Sequence, residues 1–269
     1  MMTPKVTHLP RVTAARSHAP LRPSAAERWT HCPGAPRAER SAPESAAPSP
    51  YTTEGTAAHL IFALALLTGL PPAQFIDDTV IAAHLTDMVA LTRLLTGSDD
   101  FRVEFELPPL PRLRGLWGTC DVITLDRQGR ARHIVDLKYG RGVFVAAGSW
   151  QLRIYAALAA RHFGVSPDGI SVTILQPRLR DPVRALRYSS EDLHLIEADL
   201  RAAVARTRVP HAPRVAGTWC RFCLAAPNCP ARQEALRVGL GTGVVAAEIE
   251  SAEEQLVTPP YYHAGLIAS

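Results

Sequence analysis

The stretch from Gly118 to Lys138 most constrains how this chain can fold. It reads Gly-Thr-Cys-Asp-Val-Ile-Thr-Leu, then Asp-Arg-Gln-Gly, then Arg-Ala-Arg-His-Ile-Val-Asp-Leu-Lys. Two runs of strand-forming residues flank a polar tetrad ending in glycine, which is a hairpin signal. With Arg127 and Gln128 at the tip, Asp126 faces Gly129, Asp121 lies opposite Ile134, and Thr119 lies opposite Asp136. Side chains alternate along a strand, so Asp121, Ile134, Asp136 and Lys138 share one face. Cys120, Val122, Val135 and Leu137 then point the other way, into a core. Asp121 and Asp136 become diagonal neighbours, about 7–8 Å apart at Cα. Two carboxylates and an ammonium on a strongly apolar hairpin are costly unless a cation or a phosphate pairs them. One strand Asp alone is usually an edge or turn residue. Two on one face, with Lys138 two beyond the second, suit a hard divalent cation such as Mg²⁺, which takes oxygen ligands. The Lys138 ammonium would hold a phosphate oxygen or a water and offset developing negative charge.

The rest of the chain supplies elements to cover such a hairpin. Glu54 to Thr68 reads as a helix stopped by Gly69 before Pro71-Pro72, and Asp78 to about Leu95 as a second. Ala25 to Trp29 is a short helical candidate, and residues 35–53, rich in Ala, Pro and Ser, read as a loop. Phe101 to Leu107 alternates as a strand, and Pro108 to Arg114 as a linker. Ser149 to Phe163 is an amphipathic helix ending at Gly164, Ile170 to Gln176 a strand, and Ser190 to Arg206 a helix. That order predicts an α/β fold, a mixed sheet flanked by helices. Residues 1–22 read as a disordered tail, 23–235 as one domain, and 236–269 as a tail without an assigned role. A hydrophobic content of 47% and charged content of 20% are those of a globular protein. No stretch approaches the ~20 apolar residues of a membrane span. Lys and Arg exceed Asp and Glu by 29 to 25, which permits a nucleic-acid partner without requiring one. The six arginines between Arg201 and Gln233, with no acid among them, follow either a phosphate backbone or an ordinary solvated surface.

Five cysteines is an odd count, which disfavours a disulfide framework and fits a reducing, cytoplasmic setting. Cys220, Cys223 and Cys229 form a Cys-x2-Cys-x5-Cys run that lacks a fourth thiolate, and Cys32 is the candidate to supply it. Spacing alone fits zinc and iron–sulfur alike. Cys120 reads as a small buried hydrophobe.

Gly118-x-x-Asp121-x-Ile123, Asp136-x-Lys138 and Gln151-x-x-x-Tyr155, preceded by Glu54-Gly-Thr-Ala-Ala-His59, resemble the PD-(D/E)xK nuclease superfamily in its RecB-like branch. The resemblance spans Pro23 to about Arg232. It is closest to a phage- and prophage-associated group, the DUF2800-type proteins, through Ser24-Ala-Ala-Glu-Arg-Trp-Thr-His-Cys-Pro and Asp136-Leu-Lys-Tyr-Gly-Arg-Gly. Each motif is weak alone, and their common order is what carries specificity. The resemblance implies a restriction-endonuclease-like core cleaving DNA with Mg²⁺ or Mn²⁺, exonucleolytically on single strands or duplex ends, beside phage recombination proteins. It implies His59, Asp121, Asp136 and the Leu137 carbonyl as metal ligands, with Lys138, Gln151 and Tyr155 completing the catalytic set. Glu54 and one strand acid, Glu104 or Glu106, would support them, against readings as a helix-start acid and solvated strand residues. Arg141 and Arg153 would contact phosphates. Related nucleases join their N- and C-terminal segments with a [4Fe–4S] cluster, which here implies Cys32, Cys220, Cys223 and Cys229, with structural Zn²⁺ the rival. A non-catalytic DNA-binding module and a zinc-stapled interaction domain are the alternatives.

Overall fold

Five strands form one mixed sheet in the order β1-β2-β3-β4-β5: β1 (Phe101–Leu107), β2 (Gly118–Leu125), β3 (Ala131–Leu137), β4 (Ile170–Leu175) and β5 (Val183–Tyr188). The described residues of this computed structural model are 19–43, 50–97, 101–113, 115–140 and 144–238. Only β3 and β4 run parallel. A parallel pair needs a crossover, and helix α5 (Trp150–Phe163) provides it. The Val- and Ile-rich inner strands are buried on both faces, as a sheet covered by helices on each side requires.

One face packs against α5, α6 (Ser190–Arg208) and α1 (Ala26–His31), with Ile123, Ile134 and Ile174 meeting Trp29, Leu152, Leu158, Leu193 and Leu200. The other packs against α3 (Pro50–Thr68) and α4 (Thr79–Thr96), with Val122, Val135 and Leu137 meeting Phe62, Leu66, Leu85 and Met88. Helix boundaries follow local chemistry. Asp78 caps α4 by accepting from the Val80 and Ile81 N–H groups, and Gly97 ends it in the left-handed conformation at φ 60°. Ser189 and Asp192 form a reciprocal capping box on α6.

Several expectations are corrected. Residues 35–53 are not all loop: α2 (Ala35–Arg40) opens with Pro36 in its first turn, where a missing N–H costs nothing, and α3 starts a turn early at Pro50. The domain also begins before residue 23. Ala19 and Leu21 are buried, and the Leu21 N–H donates to the Gly115 carbonyl at 3.0 Å. Strand β5 was not expected. It is an edge strand with exposed Ala185, Leu186 and Arg187, so it lacks a strong alternating pattern. Helix α7 (Pro230–Arg237) runs past the expected boundary at 235. The tail segments before residue 19 and beyond 238, and Arg141, lie outside the described residues.

The hairpin register also differs. Val122 pairs with Val135 and Ile123 with Ile134, and a bulge follows between Thr124 and Leu125. Asp126 sets this turn: its Oδ1 accepts from the Gln128 and Arg130 N–H groups, both at 2.9 Å, while Gly129 takes φ 79°. Continued one step, the register sets Asp121 across from Asp136 rather than Ile134. Cys120 does not share a face with Val122. It packs in the α5-side core, while Val122 packs under α3 and α4. Alternation therefore breaks at Asp121, where the β1–β2 ladder skips the Glu104–Asp121 pair and Glu104 takes φ 49°.

Replacing Asp78 with Ala removes the acceptor for two orphan N–H groups. A loss of about 1 kcal/mol is expected, read from the denaturant midpoint at unchanged slope.

Candidate metal centre and cysteine-lined cavity

The break at Asp121 brings side chains from four elements to one open cleft. Gly55, Thr56 and His59 of α3, Glu104 of β1, Asp121 of β2, and Lys138, Tyr139 and Gly140 after β3 line it. The His59 Nδ1 lies 3.2 Å from Asp121 Oδ1, and the Leu137 N–H donates to Asp121 Oδ2 at 2.6 Å. One ligand atom each from His59, Glu104 and Asp121 lies within 4.8 Å of the other two. An imidazole nitrogen and two carboxylate oxygens at that separation can share one divalent ion. Glu104 is thus the strand acid at the centre; Glu106, of the same parity, is exposed and lines no part of the cleft.

Asp136 stands behind this triad. Its Oδ1 accepts from Gln151 Nε2 at 3.0 Å, and Lys138 Nζ lies 2.5 Å from its Oδ2. Gln151 also donates to the Tyr155 hydroxyl at 3.1 Å, so both residues of that helical pair serve the strand carboxylate. Leu137 meets Asp121 through its N–H.

Burial opposes every charge here, and the outcomes diverge. It works against a charged His59, but the neighbouring Asp121 carboxylate outweighs it and lifts the imidazole above its ordinary pKa. Burial would likewise raise Asp121, yet His59, Lys138 and the Leu137 N–H bring its carboxyl below the usual range. For Asp136, burial together with Asp121 outweighs Lys138, and its pKa rises. An added cation would relieve that strain, which the donor set fits.

Glu54 sits in the second turn of α3, so a helix-start role does not describe it. Arg178, beyond β4, grips its carboxylate with both terminal nitrogens and lies 4.3 Å above the Tyr139 ring. The Tyr139 hydroxyl in turn meets His84 Nδ1 at 3.1 Å. The sequence reading missed Arg178. An acid within an Ala- and Leu-rich helix signalled that a cation must reach it, but not which one. Arg153 does not reach the cleft. It stacks 5.1 Å from the Trp150 ring, two residues on from Gln151 and therefore on another side of α5.

A second cavity is lined by Cys32, Cys220, Cys223 and Cys229, with Arg28, Arg214 and Trp219 among its walls. The Val215 N–H donates to Cys32 Sγ at 3.3 Å. Direct contacts hold the surrounding segments together. His31 stacks on Trp219 at 4.6 Å, the Gly34 N–H donates to the Pro213 carbonyl, and Glu39 pairs with Arg28 and accepts from the Leu224 N–H. Arg206 donates to the Thr30 carbonyl and Arg201 pairs with Glu197, so this basic run is partly structural. Cys120 is separate and fully enclosed, and burial pushes its thiol well up.

Fold and site together define a three-layer α/β domain with an imidazole–carboxylate cleft at one end of its sheet. A family model described as DUF2800, protein of unknown function, matches residues 18–92 and 99–254, and the chain belongs to that family. Among solved structures it is similar to a crystal structure of SSO0001, at 14% identity and a TM-score of 0.39, over 81% of this chain and 89% of that one. Among the described residues, no helix is long and apolar enough to cross a membrane.

A Cβ on Gly34 would fall 2.6 Å from the Ala212 carbonyl oxygen, a backbone atom that cannot swing aside. Gly34→Ala is expected to destabilise by about 1–3 kcal/mol. Faster hydrogen exchange confined to residues 209–230 and α2 would mark the loosened junction.

Proposed function

We propose that this protein is a metal-dependent nuclease of the PD-(D/E)xK type, hydrolysing DNA phosphodiester bonds exonucleolytically on single strands or duplex ends in phage or prophage recombination. One observation carries the reading: His59, Glu104 and Asp121 converge within 4.8 Å on a cleft that Lys138 also lines. Mg²⁺ or Mn²⁺ held by these three, with Asp136 close behind, would supply Lewis-acid charge and a more acidic water. The chain's own residues do the rest. Lys138, tied to Asp136, presents positive charge to a phosphate oxygen or holds a water in line. Gln151, steadied by Tyr155, keeps the Asp136 carboxylate oriented.

The four cysteines are proposed to hold a [4Fe–4S] cluster with a structural role. All four line one cavity, and a backbone N–H already faces the Cys32 sulfur. Tetrahedral zinc would need its sulfurs roughly 3.8 Å apart, given Zn–S bonds of about 2.3 Å. A [4Fe–4S] cluster takes its four thiolates farther apart, and the choice of cluster over zinc rests on the family resemblance.

Asp121→Asn and Lys138→Gln, which keep side-chain volume and hydrogen bonding at these positions, are each expected to cut DNA cleavage by at least about 10²-fold, with retention of the fold checked by circular dichroism. Gel assays with and without EDTA check this, and wild-type activity in both variants would remove the assignment. Anaerobic purification is expected to give a brown protein absorbing near ~400 nm; a colourless protein carrying zinc would replace the cluster with the rival metal.

A further inference from the structure

Beyond the cleft, the segment entering α5 carries an aromatic–cation pair that the catalytic reading does not use. Phe144 is 52% exposed, and the Arg184 guanidinium of β5 lies 4.6 Å from its ring centroid. Arg184 is held rigidly. Its Nε donates to the Val145 carbonyl at 2.9 Å, one terminal nitrogen to the Asp181 carbonyl at 2.6 Å, and the other to Gln176 Oε1. Gln176 is almost fully buried and also accepts from the Val145 N–H at 2.9 Å, which fixes the chain beside Phe144. All these acceptors are neutral. Among the described residues no carboxylate lies within ion-pair distance of the Arg184 guanidinium, and Asp181 offsets its charge only from farther off.

An exposed phenylalanine alone means little. Its position gives it meaning. Asp136 pairs with Ile174, and Ile174 with Arg184, so the three form one row across β3, β4 and β5. Neighbouring strands lie about 4.8 Å apart, which puts the Arg184 backbone about 10 Å from that of Asp136. Residues directly opposite in a ladder share a face, and Ile174 belongs to the α5-side core. Arg184 thus lies on the side where Asp136 meets Gln151.

We infer that Phe144, backed by Arg184, is a stacking platform for one base of a single-stranded nucleic acid, on the α5 side of the sheet and in the strand row that carries Asp136. A flat apolar ring with a fixed cation behind it suits a base and its backbone charge, and stacking of this kind tolerates any sequence. A paired duplex keeps its bases stacked on each other, so this contact selects single strands. The inference rests on the nuclease reading and adds the strandedness of its substrate.

Fluorescence anisotropy with labelled oligo-dU and oligo-U, in EDTA so that nothing is cut, tests it on the full chain. Phe144→Ala is expected to weaken binding of the single strand by about 5-fold or more, and Phe144→Trp to retain it. A single abasic site moved along the oligonucleotide should weaken wild-type binding at one position and leave the Phe144→Ala variant indifferent there. The oligonucleotide that loses affinity identifies the sugar. Binding by Phe144→Ala equal to wild type would overturn the platform, and with wild-type cleavage intact it would leave the nuclease reading standing. A wild-type protein that binds neither oligonucleotide would take both down.

Discussion

Two buried carboxylates on neighbouring strands are the constraint around which this fold is arranged. Asp121 is 7% exposed and Asp136 is 1% exposed. Left unpaired, charges so placed would cost several kcal/mol each. The surrounding elements each contribute a partner: α3 gives His59, the end of β3 gives the Leu137 N–H and the Lys138 ammonium, and α5 gives Gln151. The two acids are served from opposite layers. Asp121 is answered by the helix on one side of the sheet and Asp136 by the helix on the other, so the site depends on all three layers at once.

That dependence explains some otherwise unrelated contacts. The grip of Arg178 on Glu54 ties α3 to the chain beyond β4, and its stacking on Tyr139 ties both to the residue after Lys138. Glu27 reaches from α1 to accept the Trp150 N–H at the start of α5, where the Ser149 side chain makes no cap. In each case a charged or polar group fixes the angle of a helix that carries a residue of the cleft, and fixed rotamers are what a metal centre requires of its supports.

Much of this was legible in the residues. Asp78 and Gly97 bracket α4, Gly164 ends α5, and β1 occupies the span its alternation predicts. The pairing of Asp136 with Lys138 follows from alternation, because the true register differs from the expected one by two residues and preserves parity, whereas Asp121 turns toward α3 only because alternation fails there. What sequence could not give is where alternation fails. Glu104 and Glu106 are equivalent by period, and only the positive φ at Glu104 and the skipped pair beside it bring one of them inward. Cys120 was misplaced for the same reason. β5 escaped notice because an edge strand needs only weak patterning, and Arg178 and Arg184 because long cations choose partners through space rather than along the chain.

The cysteine-lined cavity has a consequence for how the molecule is made. Its walls come from residues 28–38 and 214–229, nearly the two ends of the described chain. During synthesis the amino-terminal wall emerges long before its counterpart, and α1 and α2 must wait for almost the whole polypeptide before Trp219 and Pro213 can meet them. Closure of so long a loop is late and entropically unfavourable. The sheet and its helices can assemble first, which makes this junction the last part of the domain to close and the first that a failing chain would leave open.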